Sequence, residues 1–295
     1  NLKMGRMLKR LGIFVCLEPV YGKPFLGTKK ISFVTTIHDL QAKHYPQYFS
    51  KARVLWMKIS WKNAVRTSDK VIAISKYVKK DILNTYPIPE NKVKVIYNAV
   101  VLNSKECAEK TRLKEYGVEQ EKYYYTVSSL FLHKNLKTLI LAMAELKKRN
   151  SKEFYPLIVS GIGGRNREEL DSLIVKHKLE NHIIFTSFVD NADRNMLYQN
   201  CKAFLFPSIF EGFGMPPIEA MAMGVPVLTT RCTSLKEVTG GLLNYVEHPL
   251  DPMEWADRLE GELKLPETEE VLNWLKRYQC SAIAEKYVKL FNELF

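Results

Sequence analysis

Short runs of β-branched and aromatic residues recur along this chain, separated by stretches long enough to hold a helix. ISFVTTI (31–37), KVIAI (70–74), VKVIY (93–97), YYYTVS (123–128), YPLIVS (155–160), HIIFT (182–186), KAFLFP (202–207) and VPVLTT (225–230) read as strands. Between them KTLILAMAELKKR (137–149), REELDSLIVKHK (167–178) and NADRNMLYQNC (191–201) carry helical spacing. CSAIAEKYVKLFNELF (280–295) has apolar Ile283, Tyr287, Leu290, Phe291 and Leu294, the stripe of an amphipathic helix. Strands alternating with helices predict parallel sheets covered on both faces, hence an α/β fold. The polar stretch 98–122 breaks the rhythm. Two domains are predicted, 1–103 and 104–278, with 279–295 a terminal helix expected to pack back toward the first.

Composition narrows the class. A chain of 295 residues, 46% of them apolar, can bury a large core and suits about two domains. No apolar run approaches the roughly 20 residues of a membrane span, and the basic NLKMGRMLKR is followed only by the short LGIFVCLEPV. Neither a spanning helix nor a signal peptide is read. The cysteines Cys16, Cys107, Cys201, Cys232 and Cys280 are odd in number, scattered and without a C-x-x-C pair, which points to reduced thiols in a cytoplasmic chain and to no metal site.

Charge is uneven. Residues 1–103 hold 19 Lys+Arg against 5 Asp+Glu, a net of +14, whereas the remainder nets −2. Such an excess serves solubility, an anionic membrane surface or a phosphorylated substrate. Nucleic acid is not expected, because no zinc-ligand spacing and no aromatic RNP-type strand accompany it. KARVLWMKISWKNAVR (51–66) mixes Lys and Arg with Trp56 and Trp61, a composition suited to an anionic membrane interface unless the tryptophans are buried core.

The chemistry concentrates in FLFPSIFEGFGMPPIEAMAMGVPVLTT (204–230). A strand ends at Pro207, a glycine-containing loop follows, and Pro216-Pro217 suit the start of a helix. Glu211 falls in the loop and Glu219 in what reads as the first helical turn. Ligands of open α/β sheets bind beyond the carboxyl ends of strands, and helix N-termini attract phosphate. Gly212 and Gly214 would admit a ligand close to the backbone, and a carboxylate there can accept from a vicinal diol such as a ribose or a sugar. On these residues alone, a solvated Glu211 and a Glu219 that merely favours its helix are equally good readings.

The run PSIFEGFGMPPIEAMAMGVPV resembles the E-x7-E signature of the family 4 retaining glycosyltransferases, with Glu211 and Glu219 at the matching spacing. The resemblance implies the GT-B fold, two Rossmann-like parallel-sheet domains facing a cleft. It extends to VSSLFLHKNLKTLILAMAEL (127–146), where the lysine before Asn, here Lys134, would contact the donor diphosphate, and to VTTIHDLQAKHYPQYF (34–49), where His38 would face the donor sugar and Asp39 shape the loop. Ser128 and His133 stand where the family often has Gly and Arg, which leaves the phosphate contact to Lys134 and backbone amides. The implied catalytic set is His38, Lys134 and Glu211. The implied donor contacts are Ser129, Lys134, Glu211, Gly212, Phe213, Gly214, Met215 and Glu219.

The activity implied by the resemblance is transfer of a sugar from a nucleotide-diphosphate sugar (GDP-mannose, UDP- or dTDP-sugar type) to a glycan or lipid-linked acceptor in surface polysaccharide synthesis. The family pattern implies no cofactor and no bound metal, and a cytoplasmic enzyme, peripheral on the membrane if the basic segment binds lipid. The family's first β-α units are expected before KRLGIFV, so the first domain reads as incomplete. Three arrangements accommodate that: a fragment, a partner chain that completes the domain, or a nucleotide-sugar-binding subunit without transfer of its own. A GT-B epimerase is a further, weaker reading. Donor binding with little transfer by this chain alone is the corresponding expectation.

Overall fold

The computed structural model describes residues 7, 8, 10–20, 31–101, 107–164 and 167–294. Within them two sheets form, and every strand pair in both is parallel. The first sheet runs β1 (Val15–Glu18), β2 (Ser32–Ile37), β3 (Lys70–Ala73) and β4 (Val93–Val95), in that spatial order. The second contains β5 (Tyr124–Val127), β6 (Leu157–Ser160), β7 (Ile183–Ser187), β8 (Ala203–Phe206), β9 (Val227–Thr230) and β10 (Asn244–Val246). Its spatial order is β10-β9-β8-β5-β6-β7. The chain winds outward from β5 to β7, returns to the middle at β8, and winds outward the other way. β5 and β8 therefore flank a topological switch point, where open parallel sheets leave a crevice at their carboxyl ends.

By contacts the chain divides into two units, residues 1–99 with 277–295, and residues 100–276. The boundary expected at 103/104 falls on residues outside those described, and the observed division lies at Ala99/Val100 and Lys276/Arg277. In the first unit the helix Cys280–Asn292 lays Ile283 and Leu290 against Val34, Ile72 and Ile96, with Tyr287, Phe291 and Leu294 packed around them. Lys70 and Lys94 each reach Glu293 at 3.2 Å beyond its end. Burying the apolar stripe is what fixes this helix to its sheet.

The second unit has a core built on β5, β6 and β8 and the helices Leu136–Lys148 and Pro252–Glu260. Tyr123, Tyr124 and Tyr125 are all buried, and each phenol finds a partner: the Leu197 carbonyl, the Glu153 carbonyl and Ser160 Oγ respectively. Buried hydroxyls without partners would cost free energy, so these bonds are what allow three consecutive tyrosines inside.

The eight expected strands all form; seven are shortened by one or two residues, and β7 is shifted by one, to Ile183–Ser187. The sequence reading assigned no element to several stretches, β1 among them. β10 is three residues long and follows two glycines, so it carries no β-branched run. The helix Lys51–Thr67 is apolar on two sides, burying Met57, Trp61, Ala64 and Val65 while exposing Leu55, Trp56 and Ile59, which blurs its period. The helices Pro252–Glu260 and Thr268–Leu275 lie outside the segments read as periodic. Among the described residues no helix is long and apolar enough to cross a membrane, and the cysteines are all unbridged.

Candidate functional site

The loops after β5 and β8 meet at the switch point and carry the two residues of greatest chemical interest. Past β5, the stretch Leu132–Lys134 makes one tight turn, and Asn135 follows in the left-handed conformation at φ 55°. Its side chain holds that shape. Asn135 Nδ2 donates to the Pro207 carbonyl at 3.2 Å and to the Pro249 carbonyl at 2.9 Å, while Oδ1 accepts from Thr138 Oγ1 at 2.7 Å. Asn is among the residues that tolerate this conformation. The lysine before it is thereby aimed across the sheet's end.

Lys134 Nζ bonds Glu211 Oε1 at 2.6 Å, and its side chain passes 5.7 Å from the Phe206 ring centroid. Both partners are largely enclosed, with side chains 23% and 13% exposed. An ammonium has three donors, so Lys134 can keep Glu211 and still offer N–H bonds to an anion. His133 is buried between Phe131, stacked at 5.6 Å, and the edge of Phe210. Burial, with the Lys134 charge beside it, pushes its imidazole down to about 4. It is neutral at physiological pH, so it adds no cation where the resembling family often has Arg. Its carbonyl accepts from Ile209 N at 2.8 Å and Ser208 Oγ at 3.2 Å, which ties the two loops together.

The helix after Glu211 spans Met215–Ala222 with Gly214 before it at φ 95°. A side chain at Gly214 would place Cβ 2.5 Å from Leu235 Cδ2. The missing side chain at Gly214 therefore leaves room for Leu235. Pro216 and Pro217 sit in the first turn and have no N–H, so Met215 alone supplies a donor from the first three helical positions. The helix dipole remains, directed at the same end. Gly212 and Phe213 are buried.

Glu219 is the fifth residue of this helix, one turn further along than expected. Its Oε2 accepts from Tyr198 OH at 3.2 Å. Tyr198 is buried, and burial together with the Glu219 charge keeps its hydroxyl protonated far above the usual phenol range. It is therefore a fixed donor that orients the carboxylate.

Ser129 lies in the same loop as Lys134 but lines a depression of about 160 Å³ with Phe131, Asn135, Lys137 and Arg167, whose lining includes neither Glu211 nor Glu219. His38 belongs to the other unit. It stands exposed past the end of β2, and its Nε2 is 2.8 Å from the Pro19 carbonyl oxygen. Asp39 Oδ1 accepts from Gln41 N at 2.8 Å, an Asx turn that shapes the loop. The structure thus brings together Lys134, Glu211 and the start of the helix at Met215, and keeps Glu219 on the same helix with Tyr198. Tyr198 was not picked out from sequence, and His133 and Asn135 only as neighbours of Lys134 in the motif, because their contribution lies in contacts with residues far away along the chain. Among the described residues no three His, Cys, Asp or Glu side chains gather as metal ligands would.

Two family models match the chain. Residues 109–274 match the family described as glycosyl transferases group 1, and residues 19–104 match glycosyltransferase family 4. O-antigen chain mannosyltransferase B of Escherichia coli is 29% identical over 70% of this chain and 55% of its own length. O-antigen chain mannosyltransferase RfbU of Salmonella typhimurium is 31% identical over 82% of this chain and 64% of its own length. The chain spans less than two thirds of either relative. Among solved structures, Anabaena HepE with UDP and glucose superposes with a TM-score of 0.74 at 20% identity, covering 90% of this chain and 72% of that one. Sucrose-phosphate synthase of Thermosynechococcus elongatus superposes at 0.75 and 17% identity, covering 99% and 76%. These two likenesses show the fold, a pair of parallel-sheet α/β units of the GT-B type.

Proposed function

The chain belongs to the glycosyl transferases group 1 family, and from that premise we propose that it transfers mannose, with retained configuration, from GDP-mannose to a hydroxyl of a growing surface glycan. The observation that carries this reading is the Lys134–Glu211 pair at the carboxyl ends of β5 and β8, on either side of the switch point. The names of the two mannosyltransferases supply the sugar.

In this reading the bond from the anomeric carbon to the β-phosphate oxygen breaks, and its electron pair leaves on the phosphate. Charge appears there as the transition state forms, and preorganised donors aimed at it lower the barrier. Lys134 and the Met215 N–H at the positive end of its helix are those donors, so no metal is required. Glu211 accepts from hydroxyls of the sugar and Glu219 from the ribose. The acceptor oxygen bonds the anomeric carbon on the face the phosphate leaves, and its proton departs with the leaving group or into solvent.

A donor panel tests the proposal: GDP-mannose, UDP-glucose and dTDP-glucose, each with the protein, with and without EDTA. Consumption of GDP-mannose, insensitive to chelator, is expected. Binding of GDP without consumption of any donor would support a nucleotide-sugar-binding subunit instead, and activity that is lost with EDTA and returns with Mn²⁺ would overturn the metal-free reading.

The exposed side of the helix Lys51–Thr67 supports a second element of the proposal, attachment to an anionic membrane surface near a lipid-linked acceptor. Leu55, Trp56 and Ile59 are 60%, 56% and 45% exposed and lie among Lys51, Arg53, Lys58 and Lys62, with no acidic residue in the helix. Trp61 is excluded from that role. Five positions from Trp56 is about 140° around the helix, and Trp61 points into the core at 1% exposure. Each basic residue near an anionic surface contributes about 1 kcal/mol. Sedimentation with phosphatidylglycerol-containing vesicles at low salt is expected, decreasing with salt and with Trp56→Ser. No sedimentation at low salt would remove the membrane from the proposal.

A further inference from the structure

The loop that leaves β9 grips the loop that carries Glu211, and it does so with side-chain hydroxyls. Thr230 Oγ1 donates to the Ser208 carbonyl at 2.7 Å. Thr233 Oγ1 accepts from Glu211 N and donates to the Glu211 carbonyl, both at 2.9 Å. Ser234 Oγ lies 2.9 Å from the same carbonyl oxygen and 3.0 Å from that of Phe213. One hydroxyl, that of Thr233, thus takes up both backbone groups of the residue whose carboxylate meets Lys134. Leu235 closes the arrangement by filling the space above Gly214.

The backbone of Thr233 is itself unusual. Its φ is 53°, in the left-handed region where a β-branched residue is strained and glycine or asparagine sits without difficulty. Glycine would relieve the strain and lose the hydroxyl. A residue kept in a costly conformation, with its side-chain hydroxyl spent on the Glu211 backbone, is placed for that contact. A carboxylate on a flexible loop would lose rate through misorientation, since small displacements of a positioned group cost large factors in turnover.

We infer that Thr233, assisted by Ser234, is a positioning residue that fixes the Glu211 backbone so that its carboxylate meets the donor sugar in one orientation. The inference rests on the donor-site reading of the proposed function. It concerns the sugar end of the donor. Nucleotide affinity, which depends on Glu219 and the diphosphate contacts, is left nearly untouched.

Three variants of the full chain separate positioning from folding: Thr233→Ser keeps the hydroxyl, Thr233→Val keeps the shape without it, and Thr233→Gly relieves φ without it. Thr233→Val and Thr233→Gly are expected to lower kcat for GDP-mannose consumption about tenfold or more. GDP affinity by calorimetry should stay within about threefold, and Thr233→Ser should stay within about threefold in both measurements. Amide hydrogen exchange across 208–214 should quicken at Glu211 in the Val and Gly variants and not in the Ser variant. Wild-type kcat in Thr233→Val, or activity restored by Thr233→Gly, would overturn the inference by showing that backbone shape alone matters. If the wild-type chain neither binds GDP nor consumes donor, the function reading falls, and exchange still decides the contact: unchanged protection of the Glu211 amide in Thr233→Val overturns it.

Discussion

Lys134→Met is expected to lower donor turnover by about 10²–10³-fold, the loss expected when one preorganised donor to a developing anion is removed. The side chain is well placed for that contribution, held by Glu211 at 2.6 Å and 23% exposed, so its orientation is set before a ligand arrives. The same pairing complicates the single variant, because removing the lysine leaves an enclosed carboxylate without its counter-charge. Lys134→Met combined with Glu211→Gln leaves no uncompensated charge. Thermal stability should therefore recover toward wild type in the double variant while turnover stays low. Turnover that recovers with stability would mean that Lys134 acts through folding, and a single variant with undiminished kcat would remove it from the reaction.

Glu219→Ala is expected to weaken GDP binding by roughly 1.5–3 kcal/mol, the range for a hydrogen bond to a charged group, or about 10- to 150-fold in Kd. The ribose is distant from the breaking bond, so this contact is equal in ground and transition states and its loss falls on KM more than on kcat. Tyr198→Phe removes the hydroxyl 3.2 Å from Glu219 Oε2 and should weaken GDP by a smaller amount, about 0.5–1.5 kcal/mol. The two changes should be less than additive, because the tyrosine acts only through the carboxylate. Calorimetry that finds wild-type affinity in a folded Glu219→Ala chain would contradict the ribose assignment, and full additivity would contradict the role given to Tyr198.

Much of the fold was legible because parallel strands and amphipathic helices carry their burial in local periodicity. The stripe of Ile283, Tyr287 and Leu290 named a helix, and VPVLTT named a strand, without reference to anything distant. Legibility failed where burial was two-sided, as in Lys51–Thr67, or where an element was too short to show a period, as in β10. Of the candidate site, Glu211 and Glu219 were named from the E-x7-E resemblance and Lys134 from the separate resemblance of 127–146. The placement of Glu219 in the first helical turn was misread, since the helix starts at Met215, before the prolines taken as its entry, and that Leu235 packs over Gly214 was invisible to any local pattern.

The sequence by itself determined the α/β class, eight of the ten strands, the acidic pair eight positions apart and the basic first third, because each is a property of spacing or composition. Only the tertiary structure decided which residues meet. The β10-β9-β8-β5-β6-β7 order brings the loops after β5 and β8 together, so that Lys134 reaches a glutamate 77 residues away. It also sets Thr233 on the Glu211 backbone, buries His133 neutral beside the lysine, divides Trp56 from Trp61 and aims Tyr198 at Glu219. Each of these depends on strand order and close packing, which join positions remote in the chain, and a local pattern of apolar and polar residues does not encode which remote neighbour will be there.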